Sequence, residues 1–254
     1  MSTCADLPTW KEYLLGLCDD AGLNREAIRE RLENGSDYEG VTNDIIQRLT
    51  TNRFERDFER GFQVPETISG AVALIPKLFD CCVITTNFDR VLEQVYENAA
   101  KAFREKVTGR GQPSAFFRAI PAGDRYLLKL HGNIANAAER VLNQDEYHQA
   151  YGAEGDINMT FPLPKLLKRL FTSYTFLFLG CSLAGDRTIH TFIRVAQDEG
   201  RDSLPHHYAL LACPGDLEKK RTIDQRLADA HITPLWYPEG EHEYVEQILE
   251  LLLD

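Results

Sequence analysis

Residues 83–93 read VITTNFDRVLE. Val83 and Ile84 belong to a short apolar run, and two threonines follow. Asn87 and Asp89 come next, and a helical pattern begins at once, with Val91, Leu92 and Val95 at helical spacing. A strand that reads as buried thus ends in short polar side chains just where a helix starts. The same grammar recurs downstream. "CCVITT", "YLLKLHG", "YTFLFLGCSL", "HHYALLAC" and "ITPLWY" are short apolar runs closed by glycine, polar residues or proline. Helical patterns separate most of them: "DRVLEQVYENAAKAF", "PLPKLLKRLFTSY", "RTIHTFIRVAQDEG" and "LEKKRTIDQRLADA". "EYVEQILELLLD" reads as a final helix. Continuous apolar strands alternating with helices predict an α/β fold with a parallel sheet covered by helices.

Upstream of this stretch the pattern is helical. In residues 7–17, Leu7, Trp10, Leu14 and Leu17 share one face, and Pro8 suits a first turn. "NREAIRERLENG" and "NRFERDFERGF" are charged helical segments, the latter reading as a solvated face or a partner surface, and "ISGAVALIPKLF" gives another helix. Residues 19–79 are therefore expected to form a small helical subdomain or insertion within a single domain spanning 1–254.

Composition narrows the function classes. The chain has 254 residues, 43% of them hydrophobic and 26% charged, with a formal net charge of −11. That charge argues against binding along a nucleic-acid backbone, which needs a basic face. It leaves room for a small anion held by backbone amides. No run approaches the roughly 20 apolar residues of a membrane helix, and "MSTCADLPTW" lacks a signal-peptide pattern, so a cytoplasmic protein with no membrane contact is expected. Cys4, Cys18, Cys81, Cys82, Cys181 and Cys213 form no C-x-x-C pair. No metal site is expected, and the cysteines read as reduced, mostly buried thiols.

Ligands of open parallel sheets bind beyond the carboxyl ends of the strands. Three strand ends here are unusually polar: "VITTNFD"; "LLKLHGN", with His131, Gly132 and Asn133; and "FLFLGCSLAGD", with Gly180, Ser182, Gly185 and Asp186. One such Asn or His alone reads more simply as a cap. Three in succession point to a crevice, with the ends of "VITT", "LLKL" and "FLFLG" side by side. Asp89 caps the following helix, lines the crevice, or does both. Gly180-Cys181-Ser182-Leu183-Ala184 looks superficially like a nucleophile elbow, but Ala occupies the fifth position. His190 lacks the Glu-x-x-His spacing of a metalloprotease. His206 and His207 precede a strand and are expected to face solvent or to cap.

These segments, in this order, resemble the sirtuin (silent information regulator) family, closest to its zinc-free bacterial branch of NAD-consuming defence effectors. "TTNFDRVLE" is similar to that branch's T-x-N-F-D segment, and "LLKLHG" to the segment carrying the family's active-site histidine. "VLNQDEYHQAY" resembles the D/E-Y stretch that follows it. "LFLGCSLAGD" resembles the G-x-S-L…D strand end, and "PHHYALL" and "ITPLWYPEGEHEYVEQILELL" the closing strand and helix.

The resemblance implies a Rossmann-like fold and an NAD+ glycohydrolase releasing nicotinamide and ADP-ribose, in an antiphage role. A protein partner or homo-oligomer would control the activity. It also implies that Asn87 and His131 are catalytic, with His131 as general base. Asn87 and Asp89 would line the nicotinamide–ribose pocket, and Thr86 would belong to the cofactor-binding set. Gly180 and Ser182 would contact the adenosine half, and Asp186 would join the cofactor-binding set. The residue types suit the chemistry: glycosidic cleavage passes through an oxocarbenium-like state and needs an oriented nucleophile and a base of near-neutral pKa.

The sequence departs from the family twice. The family's opening strand with its G-A-G-x-S loop has no counterpart, and "MSTCADLPTW" resembles the part just after it. A late start, an edge supplied by a partner, and loss of catalysis are the three expectations. The zinc module of the protein deacylases is also absent. A silent module that binds NAD, ADP-ribose or a partner protein is therefore the alternative reading, and a protein deacylase ranks below both.

Overall fold

The computed structural model describes residues 5–34, 37–108, 113–153, 155–183 and 186–253. The chain forms two compact units, one ending at Ala150 and the other beginning at Tyr151.

The first unit opens with helices α1 (Trp10–Leu17), α2 (Arg25–Asn34), α3 (Tyr38–Arg48) and α4 (Thr51–Gly61). A 3-10 turn (Ala71–Leu74) then runs into α5 (Ile75–Leu78). A capping box starts α1: Thr9 Oγ1 accepts from Glu12 N (3.2 Å), and Glu12 Oε2 accepts from Thr9 N (2.8 Å). On α4, Phe54 and Phe58 turn inward at i, i+4. Phe58 meets Trp10, Tyr13 and Phe62 at centroid distances of 6.0, 5.8 and 5.2 Å. The charged stretch thus has a solvated face and an aromatic face, and the aromatic one holds the helices together.

Next come β1 (Cys82–Thr85), α6 (Val91–Asn98), β2 (Glu105–Thr108), α7 (Pro113–Ala122), β3 (Tyr126–Lys129) and α8 (Gln144–Tyr151). The sheet is parallel, in the order β1-β3-β2. β3 lies in the middle, and all four of its residues are buried. Its register is flush with both neighbours: Cys82 and Glu105 pair with Tyr126, and Thr85 and Thr108 pair with Lys129. The chain therefore leaves β1 and β3 at one level.

The second unit contains α9 (Pro162–Ser173), β4 (Leu177–Leu179), α10 (Arg187–Glu199), β5 (His207–Cys213), α11 (Leu217–Asp229), β6 (Ile232–Pro238) and α12 (Glu243–Leu251). Its sheet is also parallel, in the order β4-β5-β6. Leu163, Leu167 and Phe171 of α9, Ile189 and Phe192 of α10, and Ala209 of β5 form its core.

The mixed α/β architecture of parallel strands and covering helices is the Rossmann-like one expected. Several details differ. The strands divide into two three-stranded ladders, so β1 and β3 are neighbours while β4 pairs with β5 in the second unit. β2 and α7 were not anticipated: "EKVT" carries one apolar residue and shows no strand periodicity. β4 is confined to Leu177–Leu179, because Tyr174 closes α9 by donating its N–H to Leu170 O. His207 is fully buried, contrary to the solvent-facing or capping role expected. Alternation along β5 turns it inward, where it stacks on Phe171 at 3.7 Å and its Nδ1 accepts from Phe176 N (3.2 Å). Burial, with the charges of His231 and His206, pushes its pKa down to about 4. Of the described cysteines, all free, only Cys18 is buried; Cys81 is exposed and the other three are intermediate. Cys4 lies outside the described residues. Among the described residues, no helix is long and apolar enough to cross a membrane.

Candidate active site

The flush register puts two loops next to each other. After β1 the chain runs Thr86, Asn87, Phe88, Asp89; after β3 it runs Leu130, His131, Gly132, Asn133. Backbone hydrogen bonds tie them: Leu130 N donates to Thr85 O (2.9 Å), and Ile134 N donates to Phe88 O (3.1 Å). Asn87 N donates to Thr85 Oγ1 (3.1 Å), which shapes the turn that carries the Asn87 side chain. Thr86 and Asn87 remain partly accessible, while Asp89 is 5% exposed.

Asp89 resolves the ambiguity of its sequence position in part. Its Oδ1 accepts from Val91 N (2.9 Å) at the start of α6, so it acts as a cap. Phe88 anchors the same loop from the other side, with its ring 5.7 Å from Trp10 and 5.5 Å from Phe58. The helical region thus bears directly on the loop that carries Asn87.

Lys129, the last residue of β3, is 2% exposed. Its Nζ donates to the backbone oxygens of Phe88 (3.2 Å) and Asp89, and pairs with Glu93 Oε1 on α6 at 3.1 Å. Burial lowers the pKa of its ammonium, and the Glu93 charge opposes that. The Lys129–Glu93 pair escaped the sequence reading. Its signal was a lysine inside the otherwise apolar "YLLKL" and a glutamate between Val91 and Val95 on the inward face of a helix.

His131 is 5% exposed. Its Nδ1 lies 3.3 Å from Tyr147 Oη, and the two rings meet edge-on at 5.2 Å. Tyr147 arrives on α8, whose start is a reciprocal cap: Glu146 N donates to Asn143 Oδ1 (3.0 Å), and Leu142 N donates to Glu146 Oε2 (2.7 Å). The D-E-Y segment therefore brings its tyrosine onto the histidine, a contact that sequence spacing alone does not reveal. Val141 N donates to His131 O (3.0 Å), closing the loop back on itself. Gly132 sits at φ +87°, and a Cβ there would lie 2.6 Å from Glu139 O and 2.8 Å from Arg140 Cα, so only glycine fits. Arg140 is 1% exposed, pairs with Glu55 of α4 and lies 4.7 Å over the Phe58 ring.

In the second unit, Gly180 follows β4 at φ +64° and Leu183 stands at φ +47°. Gly180, Ser182 and Asp186 are all exposed. Asp186 is the N-cap of α10, its Oδ1 accepting from Ile189 N (3.0 Å). Cys181, between Gly180 and Ser182, is of intermediate exposure, and desolvation together with the Asp186 charge pushes its thiol up to about 12. Ala184 and Gly185 lie outside the described residues. The structure thus places Asn87, Asp89 and His131 on two bonded loops of the first unit, and Gly180, Ser182 and Asp186 between β4 and α10 of the second. Among the described residues, no group of three or more His, Cys, Asp or Glu side chains is arranged to hold a metal ion.

What the first cluster can do chemically is limited and specific. It offers an imidazole with one ring nitrogen engaged by a tyrosine hydroxyl, beside an uncharged amide on a braced loop. That suits proton acceptance and orientation of a hydroxyl or a water.

Comparison with known proteins narrows the family. "NAD(+) hydrolase ThsA" of Cytobacillus dafuensis is 31% identical over 123 residues, covering 48% of this chain and 23% of that protein. The protein of the same name from Bacillus cereus (strain MSX-D12) is 30% identical over 145 residues, covering 57% and 27%. The match thus spans about a quarter of the length of these relatives. The model of the SIR2-like domain matches residues 82–235, from the first residue of β1 into β6 and over more than half of the chain. With the first parallel ladder and most of the second inside the matched stretch, the chain belongs to the SIR2-like domain family.

Proposed function

We propose that the chain hydrolyses NAD+ to nicotinamide and ADP-ribose. One observation carries the reading most: the loops bearing Asn87 and His131 are bonded to each other at the same end of one parallel sheet. The names of the two relatives point to the same activity. In this reading water attacks C1′ of the nicotinamide ribose as the C–N glycosidic bond breaks. The bonding electron pair returns to the pyridinium nitrogen and neutralises it, so no strong acid is required. His131 takes the proton from the water. Asn87 holds that water or a ribose hydroxyl without adding charge. Thr86 and Asp89 shape the nicotinamide–ribose side, while Gly180, Ser182 and Asp186 serve the adenosine half.

Such an enzyme drains a central cofactor, so its activity must be held in check. We assign that control to a protein partner or to self-assembly, in the cytoplasm of a bacterium and in an antiphage role. No zinc takes part. The test is incubation of the purified protein with NAD+, alone and with the products of neighbouring genes, with nicotinamide followed over time. Release of nicotinamide and ADP-ribose in equal amounts supports the reading. Stoichiometric NAD+ binding without release under every condition would establish a binding module in its place.

A further inference from the structure

Resting on the NAD-hydrolysing reading, we propose that the buried Lys129–Glu93 pair is a positioning device that holds Asn87 in its working place relative to His131. An ammonium has three donors and no acceptor. Lys129 finds three acceptors in Phe88 O, Asp89 O and Glu93 Oε1. Two of the three are carbonyls of the residues that immediately follow Asn87. On the other side, Asn87 N is bonded to Thr85 Oγ1. Asn87 is thereby gripped from both flanks, and the grip on one flank comes from the strand that delivers His131 two residues later.

Stability alone does not account for this pair. The other residues of β3 are Tyr126, Leu127 and Leu128, all buried, and an apolar fourth residue would pack without a desolvation cost. Glu93 supplies the countercharge yet keeps Oε2 buried with no hydrogen-bond partner among the described residues. A buried orphan oxygen is a liability that calls for an explanation. Position is one: Lys129 pins the loop, and Glu93 makes a charged lysine tolerable there. Lys129 touches no reacting atom in this account. It is a positioning residue, acting through Asn87.

The experiment compares the full-length wild type with Lys129→Met and with the double variant Lys129→Met, Glu93→Met. Melting temperature, kcat and KM for NAD+, and amide hydrogen exchange along the chain are measured on each. Lys129→Met should melt much earlier, because Glu93 is left as an uncompensated buried charge. The double variant should recover the wild-type melting temperature to within a few degrees, yet keep a kcat lowered by about 10²-fold, since misplacement of a reacting group by about 1 Å has that effect. Its KM should stay within about threefold of wild type. Amides of residues 87–91 should exchange at least about tenfold faster, with β1 and β3 as protected as before.

A double variant with wild-type kcat and wild-type exchange overturns the proposal. If it does not fold, Lys129→Gln with Glu93→Gln, a neutral pair of similar volume, is judged by the same readouts. If the wild type releases no nicotinamide, the NAD-hydrolysing reading fails by itself. The positioning claim then stands or falls on exchange: faster exchange at 87–91 in the double variant supports it, and unchanged exchange refutes it.

Discussion

The end of the first sheet and the loop after β4 both follow parallel strands in the same family domain, yet they are built in opposite ways. The first is braced. Asp89 and His131 are buried, Gly132 has no room for a Cβ, and Lys129 stitches one loop to the other. The second is open. Gly180, Ser182 and Asp186 are exposed, and the polar bonds described there are the Asp186 helix cap and one from Arg226 to Leu183 O (3.3 Å). Bracing fixes angles and distances, which bond-making chemistry needs. An open glycine turn at a helix N-terminus offers backbone amides and room, which recognition of a nucleotide needs. Under the proposed function, the difference is a division of labour between transition-state geometry and ligand affinity.

The strongest way to break that division is His131→Ala. The rate of nicotinamide release should fall by about 10²–10⁴-fold, the usual contribution of a positioned base. Asn87→Ala should lower it by about 10²-fold. Asn87→Ala should melt within a few degrees of wild type, because its side chain is partly accessible, whereas His131→Ala should melt somewhat earlier, since it removes a buried ring packed on Tyr147. Undiminished turnover in His131→Ala would remove the braced end from the chemistry.

Glycine substitutions sharpen the contrast on the stability scale. Gly132→Ala combines a left-handed backbone with a backbone collision and should cost about 2–5 kcal/mol, read by chemical denaturation. Gly180→Ala places an L-residue at φ +64°, a backbone term that should cost about 1–2 kcal/mol. Equal costs at the two sites would mean that the second loop is as constrained as the first.

A third test uses acidity. His207 in the second unit has its pKa lowered to about 4, so the unfolded chain binds more protons than the folded one between about 6.5 and 4. Stability is fully present above about pH 6.5 and is lost as pH falls through that window. The lowered pKa of nearby His231 adds in the same direction. Amide protection in β5 should therefore decline from pH 6.5 to 4 while that of β3 changes less. His207→Asn, whose Oδ1 takes the place of Nδ1 as acceptor from Phe176 N, should flatten the decline. The smallest effect expected is that of Ser182→Ala: a rise of a few-fold in KM for NAD+ with kcat unchanged, the signature of lost uniform binding.

Much of this was legible in the residues. The run into Thr85 and the run into Lys129 announce adjacent strands, and their polar ends announce a site, because a buried parallel strand leaves a strong apolar signal. The rest depends on partners distant in the chain. Tyr147 meets His131 only because α8 folds back over the loop, and no local pattern encodes that return. β2 is too polar to show a period. The division of the strands into two ladders is a property of pairing, which periodicity does not contain. Lys129 was visible as an anomaly, but an anomaly becomes a role only when its acceptors are known. His207 was misjudged because a dipeptide of histidines looks polar, while strand alternation gives each its own surroundings.

The aromatic cluster has a consequence for the order of events during folding. Phe88 rests on Trp10 and Phe58, and Arg140 reaches Glu55 across 85 positions of sequence. Closing such long loops is slow, since their entropy is lost before the contacts reward it. The loop carrying Asn87 therefore takes its final form only after α1 and α4 have docked and the stretch through Tyr147 has been synthesised and folded back. A chain still emerging from the ribosome is thus expected to form its local helices before the loop carrying Asn87 is set.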